Sequence, residues 1–331
     1  MKARIIELVK PRQRLAGDLL LLGVDGGGTK TRAVVTDARQ NILGEGLAGP
    51  SNPLRVGIGK AAANVRAAIK EACRAAGVKL SQIVATEVGL AGVRGAEIRA
   101  SMHRALADLN LPELEIVTDA DTALFGATGG RPGLVIIAGT GSICCGINAQ
   151  GQQECAGGWG PLAGDEGSGS WIARSALQAV ARASDGRGPD TALTAAACRF
   201  FGVATTEAVM SEINQPTLTN DRMAAFARFT IEAAQDGDQV ARAILAEAGR
   251  VLGVAAATVI RKLRMRQEKF QVAYVGGVFA AGELLLAHLR AEVAKIAPDA
   301  YLAPPRMNPA VAAARMAQEH SAAVPKLALA S

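Results

Sequence analysis

Aromatic side chains are scarce in this 331-residue chain, at 3% of the total. Proteins that grip single-stranded nucleic acid stack its bases on aromatic rings, so the composition argues against that class. Histidine is also rare. His103, His288 and His320 are too scattered for the ligand spacing of a zinc site. Cys73, Cys144, Cys145, Cys155 and Cys198 make an odd, irregular set of five with no CxxC pair. That usage fits a reduced cytoplasm better than a disulfide framework. Long apolar runs are missing too. Residues 19–22 are four leucines, short of the roughly 7–15 residues of a secretory apolar region. No stretch approaches the ~18 unbroken apolar residues of a membrane span. The expectation is a cytoplasmic chain with no membrane partner.

What the chain does have is core material and glycine. Half of it is hydrophobic, 20% is charged, and 37 residues are glycine. Disorder as the dominant state is excluded. At about 100–200 residues per domain, the length suggests two domains. The formal net charge is +6, and part of it is local: Lys2, Arg4, Lys10, Arg12 and Arg14 face Glu7 alone within residues 1–17. Basic tails can touch nucleic acid or anionic surfaces. Here the tail reads as a solvated extension, and no nucleic-acid partner is expected.

Periodicity organises the rest. Residues 19–25 form an apolar run closed by glycines, and 31–36 alternate as a returning strand would. The pair predicts a hairpin with Gly26, Gly27 and Gly28 at its tip, and 41–47 could add a third strand. Helical spacing over 59–76 ends at Gly77, a plausible cap. A strand at 83–90, a helix at 96–109, a strand at 113–118 and a helix from Asp119 to Ala127 follow. Residues 134–138 then start the pattern again: an apolar strand, the turn Gly139-Thr140-Gly141-Ser142, and a returning strand at 143–148. The repeat is one of layout and predicts internal duplication. Later helices are predicted at 171–184, 189–200, 221–234 and 239–263. A strand at 270–275 ends in Gly276-Gly277, a helix starts at Ala280, and another covers 309–317, opened by Pro309. Strands alternating with helices imply a mixed α/β sheet.

Three strand ends thus carry glycines, where backbone N–H groups can approach an anion without a Cβ in the way. Thr29, Thr140 and Ser142 add hydroxyls and Lys30 adds charge. Known phosphate motifs do not fit. Residues 23–31 resemble a Walker A loop but lack the Gly before Lys30. A dinucleotide fingerprint fails at Thr31, where its third Gly belongs. No Gly-x-Ser-x-Gly elbow occurs. Asp25, at a strand end beside the first loop, could hold Mg²⁺ directly or through water. Asp119 opens a helix, as does Gly164-Asp165-Glu166-Gly167-Ser168; both also read as helix caps.

The ordered set Val24 to Lys30, Thr118-Asp119-Ala120, Ala138 to Ser142 and Val275-Gly276-Gly277-Val278 resembles the sugar kinase, heat-shock ATPase and actin superfamily. Residues 156–168, Ala-Gly-Gly-Trp-Gly-Pro-Leu-Ala-Gly-Asp-Glu-Gly-Ser, look like the N-acetylglucosamine kinase branch of the BadF/BadG/BcrA/BcrD ATPase family. The resemblance covers about residues 18–318. It implies a duplicated actin-like (ribonuclease H-like) α/β ATPase fold: two domains with mixed sheets flanked by helices and a cleft between them. The domains would be 18–130 and 131–307, with a helix at 308–318 returning to the first. By resemblance, Gly26, Gly27, Gly28, Thr29, Lys30, Gly139, Thr140, Gly141 and Ser142 would line the ATP phosphates. Asp25 would organise Mg²⁺, and Gly276 and Gly277 would border adenosine. Asp119 would be the catalytic base, and Asn52, Gly157, Gly158, Asp165 and Ser168 would bind the sugar. The implied reaction is phosphorylation of N-acetylglucosamine at its 6-hydroxyl, with glucosamine or N-acetylmuramate as alternatives and a homodimer as the suggested assembly. Two departures stand out: Ala91, where related kinases often carry Ser, and Pro53 directly after Asn52. A more distant alternative is an iron–sulfur ATPase that activates 2-hydroxyacyl-CoA dehydratases, for which adjacent Cys144 and Cys145, pointing to opposite faces, are poor ligands.

Overall fold

β1 (Leu20–Gly26), β2 (Thr31–Asp37), β3 (Ile42–Ala48), β4 (Ile83–Leu90) and β5 (Leu114–Thr118) form one sheet in the order β3-β2-β1-β4-β5. β6 (Gly133–Ala138), β7 (Ser142–Ile147), β8 (Gln153–Gly157), β9 (Gln271–Val275) and β10 (Tyr301–Ala303) form a second, in the order β10-β9-β6-β7-β8. The two orders are the same once β6 is matched to β1, so the duplication expected from layout is real. In each sheet the first strand is antiparallel to its hairpin partner and parallel to a later strand (β1 with β2 and β4, β6 with β7 and β9). Both sheets are therefore mixed. The computed structural model describes residues 19–321, so the basic tail at 1–17 lies outside the described residues.

Packing divides the chain into two units, one of residues up to 117 together with those from 313, the other Thr118–Ala312. In the first, Leu22, Val24, Val35 and Val88 of the sheet meet Val65, Ile69 and Ala72 of the Ile58–Ala76 helix and Met102 of the Ala96–Leu106 helix. In the second, Leu134 and Ile136 face Ile172, Leu245, Val259 and Ile260, while Val135 and Ala273 on the opposite face cover Ala123, Leu124 and Ala127. The Asp119–Thr128 helix thus packs on the second sheet. The Pro309–His320 helix ends in the first unit, where Gln318 Nε2 donates to Ala38 O and His320 Nδ1 lies 3.1 Å from the fully buried Glu87.

Glycine also serves packing here. A Cβ on Gly44 or Gly46 of β3 would strike the backbone of the Ile58–Ala76 helix, at 2.3 Å from Ala72 O and 2.1 Å from Ala68 O. Gly249 and Gly253, one turn apart in the Gln239–Leu263 helix, would clash likewise with Leu285 O and Glu292 Cβ of the Glu283–Ala294 helix. The Gln239–Leu263 helix is long and apolar enough to cross a membrane by length and composition. Its buried residues, Leu245, Leu252, Ala256 and Ile260 among them, belong to the core of the second unit.

Several details depart from expectation. β8, β10 and the Thr206–Ile213 helix were not anticipated. Residues 221–234, expected as one helix, are two, Asn220–Ala225 and Ala227–Gln235, broken at Phe226. Phe226 is fully buried in a cluster with Phe200, Phe201 and Phe229, so tertiary packing overrides the local period. The helix expected from 189 begins at Leu193, because Asp238 takes the Thr191 hydroxyl and the Ala192 amide. The free-thiol expectation also needs correction. Cys145 and Cys155 stand opposite each other in the β7–β8 ladder, 4.2 Å apart at Cα, and are joined as a disulfide. The flanking bond from Gly158 N to Ser142 O makes theirs a non-hydrogen-bonded pair, the kind that brings side chains closest.

Candidate functional site

The first hairpin tip shows why its glycines are there. None of Gly26, Gly27 or Gly28 has a left-handed φ, so their role is space rather than conformation. A Cβ on Gly26 would stand 2.1 Å from Ser51 Oγ and 2.6 Å from Leu90 Cδ2. A Cβ on Gly28 would stand 2.9 Å from Arg55 Nη1. Gly27 has only Lys30 O at 4.0 Å and faces open space. Gly27 N donates to Lys30 O, closing the turn, while Thr29 and Lys30 are exposed at the tip. Among the described residues, the Gly28 and Thr29 amides donate to no backbone carbonyl outside regular elements. Two adjacent unspent N–H groups beside a lysine suit an anion.

The second hairpin repeats this geometry in its own unit. Gly139 N donates to Gly141 O across the turn, and the Thr140 and Gly141 amides are unspent in the same sense. The loop is clamped from behind. Gly169 N donates to Gly139 O at 2.7 Å, Ser170 Oγ to Thr140 O at 2.6 Å, and Ser142 Oγ to Glu166 O at 2.7 Å. Thr140 Oγ1 donates to Asp221 Oδ1 at 3.0 Å, a contact the sequence did not suggest. A Cβ on Gly141 would come 2.7 Å from Asp165 Oδ2. Asp165 is buried, with φ of 57°, a left-handed conformation that costs a non-glycine residue energy and marks functional loops. Ser168 is fully buried, and its hydroxyl caps the Gly169–Ser184 helix by accepting from Trp171 N at 3.2 Å.

Strand pairing brings Gly157 and Gly158 to the same loop. Ile143 is opposite Gly157, and Gly158 N donates to Ser142 O at 2.9 Å. Both glycines have positive φ, 85° and 75°, so a side chain there would be strained. A cavity of about 320 Å³ opens beside them, lined by Ser142, Gly157, Trp159, Glu166, Arg250 and Val254 among others. Gly276, at φ 124°, presses on Ala138 O, which a Cβ would approach to 2.1 Å. That contact sets the Gly276–Gly277 turn against the end of β6. The short helix Gly277–Ala281 follows, and a cavity of about 670 Å³ lies at its end, between Gln239, Arg242, Ala281, Glu283 and His288.

Asp119 is not the cap of its helix. Thr118 is, accepting from Asp121 N at 3.2 Å, and Asp121 returns its carboxylate to the Thr118 amide at 2.9 Å. The capping box is complete without Asp119, which is half-buried in the first turn and accepts from Ala120 N at 3.0 Å. In the first unit, Asp25 sits at the carboxyl end of β1, paired in register with Arg32 and Gly89. Asn52 caps the Pro53–Val56 helix, Oδ1 accepting from Leu54 N, and lies where a Cβ on Gly92 would reach it at 2.3 Å. Pro53 takes the first helical position, where its fixed φ suits the turn.

Among the described residues, no group of three or more His, Cys, Asp or Glu forms a metal cage. Mg²⁺ does not require one, since it is commonly held by one or two carboxylates together with phosphates and water. Asp25 fits that arrangement. Cluster ligation by thiolates fits poorly: burial pushes the Cys144 and Cys73 thiols up, and Cys145 and Cys155 are spent on each other.

Known proteins resemble this chain in sequence and fold. The model of the BadF/BadG/BcrA/BcrD ATPase family matches residues 22–317. The N-acetylmuramic acid/N-acetylglucosamine kinase of Clostridium acetobutylicum is 32% identical over 259 residues, 78% of this chain and 85% of that protein. The N-acetyl-D-glucosamine kinase of Dictyostelium discoideum is 31% identical over 310 residues, 90% of this chain and 97% of the other. A solved structure from Chromobacterium violaceum, given as a candidate N-acetylglucosamine kinase, superposes with a TM-score of 0.75 at 30% identity. It covers 91% of this chain and 99% of its own.

Proposed function

The chain belongs to the BadF/BadG/BcrA/BcrD ATPase family, and from that premise we propose that it is an amino-sugar kinase that moves the γ-phosphate of ATP to the 6-hydroxyl of N-acetylglucosamine. The observation that carries this reading is the pair of equivalent glycine hairpins, each with two tip amides that, among the described residues, donate to no backbone carbonyl outside regular elements. Relatives named as amino-sugar kinases support the substrate class.

Phosphoryl transfer asks a protein for alignment and charge neutralisation more than for covalent chemistry. In this reading Gly26, Gly27, Gly28, Thr29 and Lys30 from one hairpin, and Gly139, Thr140, Gly141 and Ser142 from the other, hold the triphosphate. Gly276 and Gly277 border adenosine. Asp25 would hold Mg²⁺, which would supply further charge neutralisation when bound. Asp119, in the first turn of its helix, accepts the proton of the sugar hydroxyl. Asn52, Gly157, Gly158 and Asp165 contact the sugar, and Ser168 holds the loop of Asp165 in place as a helix cap. ATP and a free amino sugar meet in the cytoplasm, where we place the reaction. N-acetylmuramate is the second reading, favoured by the double name of the Clostridium relative.

A coupled ADP-release assay over N-acetylglucosamine, glucosamine, N-acetylmuramate and glucose tests the proposal. The highest kcat/KM is expected with N-acetylglucosamine. Turnover with none of the amino sugars would overturn it.

A further inference from the structure

The first hairpin carries a cation outside its motif. Arg55 is exposed in the Pro53–Val56 helix, and its guanidinium covers Gly28. A Cβ on Gly28 would lie 2.9 Å from Nη1, 3.4 Å from Cζ and 3.6 Å from Cδ of Arg55. Gly28 has no left-handed φ, and the arginine side chain lies along it at these distances. The segment bearing Arg55 is stitched to the same loop. Ser51 N and Asn52 N both donate to Gly27 O, at 3.0 and 3.2 Å. Thr31 Oγ1 lies 2.6 Å from Gly49 O and 2.7 Å from Ser51 Oγ. Arg55 N and Val56 N donate to Asn52 O, and Asn52 Oδ1 accepts from Leu54 N. The arginine is thus placed against the loop by main-chain bonds on both sides of Pro53.

We propose that Arg55 is a further catalytic residue, pairing with a non-bridging oxygen of the phosphoryl group in transfer. The inference rests on the reading above, in which residues 26–30 hold the triphosphate. A guanidinium stays charged at any working pH, and its planar fork matches phosphoryl oxygens. Negative charge on the transferring group spreads over three equatorial oxygens, so a second fixed cation beside Lys30 stabilises it. Arg55 gives and takes no proton. The bond broken joins the γ-phosphorus to its bridging oxygen, whose electron pair leaves with ADP. The bond formed joins that phosphorus to the sugar O6, whose proton goes to Asp119.

The other anion within the chemistry of this site is a sugar carboxylate, as on N-acetylmuramate, and a neutral sugar separates the two. With N-acetylglucosamine, Arg55→Ala is expected to lower kcat about 100-fold while the sugar KM moves less than about 3-fold. Arg55→Lys should recover part of the loss. By calorimetry, Arg55→Ala should weaken binding of AMP-PNP with Mg²⁺ more than binding of ADP, and retained ADP binding also verifies the fold. Wild-type kcat on the neutral sugar in Arg55→Ala would overturn the inference, whatever happens with N-acetylmuramate. A wild-type enzyme inactive on every amino sugar would instead remove the kinase reading beneath it.

Discussion

Asp119 and Asp121 sit two residues apart at one helix start and do different work. Asp121 completes the capping box with Thr118, and Asp119, outside that box, is the base in the reading proposed above. Asp119→Asn should therefore keep its melting temperature and ATP binding while kcat falls about 1,000-fold. Asp121→Ala should instead cost about 1 kcal/mol of stability. Near-normal turnover in Asp119→Asn would show that another group takes the proton. The glycines differ in the same way. Gly139 has nothing within 4 Å of a built Cβ, so Gly139→Ala should fold normally and raise the KM for ATP. Gly141→Ala drives its methyl into the Asp165 carboxylate and should lower the melting temperature as well. The residue types at both hairpins were legible in the sequence. Arg55 was not, because its contact with Gly28 spans 27 positions and an arginine after Asn-Pro carries no local signature. Asp119 reads in the sequence as either cap or base, and the capping bonds of Thr118 remove only the cap reading.

At the scale of elements, helices with a strong apolar period were readable, and those shaped by distant contacts were not. The Gln239–Leu263 helix runs over the range its spacing predicts, and Gly77 caps the Ile58–Ala76 helix in the left-handed conformation. The break at Phe226 and the late start at Leu193 come from an aromatic cluster and from Asp238, neither visible in a local window. Burial raises the Asp238 carboxyl, but the Ala241 and Ala192 amides and the Thr191 hydroxyl outweigh it, leaving its pKa below the ordinary value. A carboxylate depressed in the folded state stabilises while ionised. Its contribution is full above about pH 4, its unfolded value, and fades as pH falls through the folded one. Asp238→Asn should lose about 1 kcal/mol at neutral pH, and its stability should decline less than wild type between pH 5 and 3. Denaturant melts across that range check both. The β7–β8 disulfide, closing a separation of 10 residues, should add about 2–3 kcal/mol, measured as the drop in unfolding free energy with reductant.

For the whole molecule, the sequence carried the duplication because each half opens with the same strand, glycine turn and returning strand. The return of the chain to the first unit from 313 was implied by the family resemblance, whereas the packing of the Asp119–Thr128 helix on the second sheet was not. The glycine surplus divides between the ligand-facing tips and close helix contacts at Gly44, Gly46, Gly249 and Gly253. The central claim, transfer to a sugar hydroxyl, is tested most directly on the product itself. After incubation with ATP, Mg²⁺ and N-acetylglucosamine, phosphorus NMR should show a phosphomonoester coupled to the two C6 protons. ADP formed with inorganic phosphate alone, or a phosphate coupled to a ring proton, would contradict it.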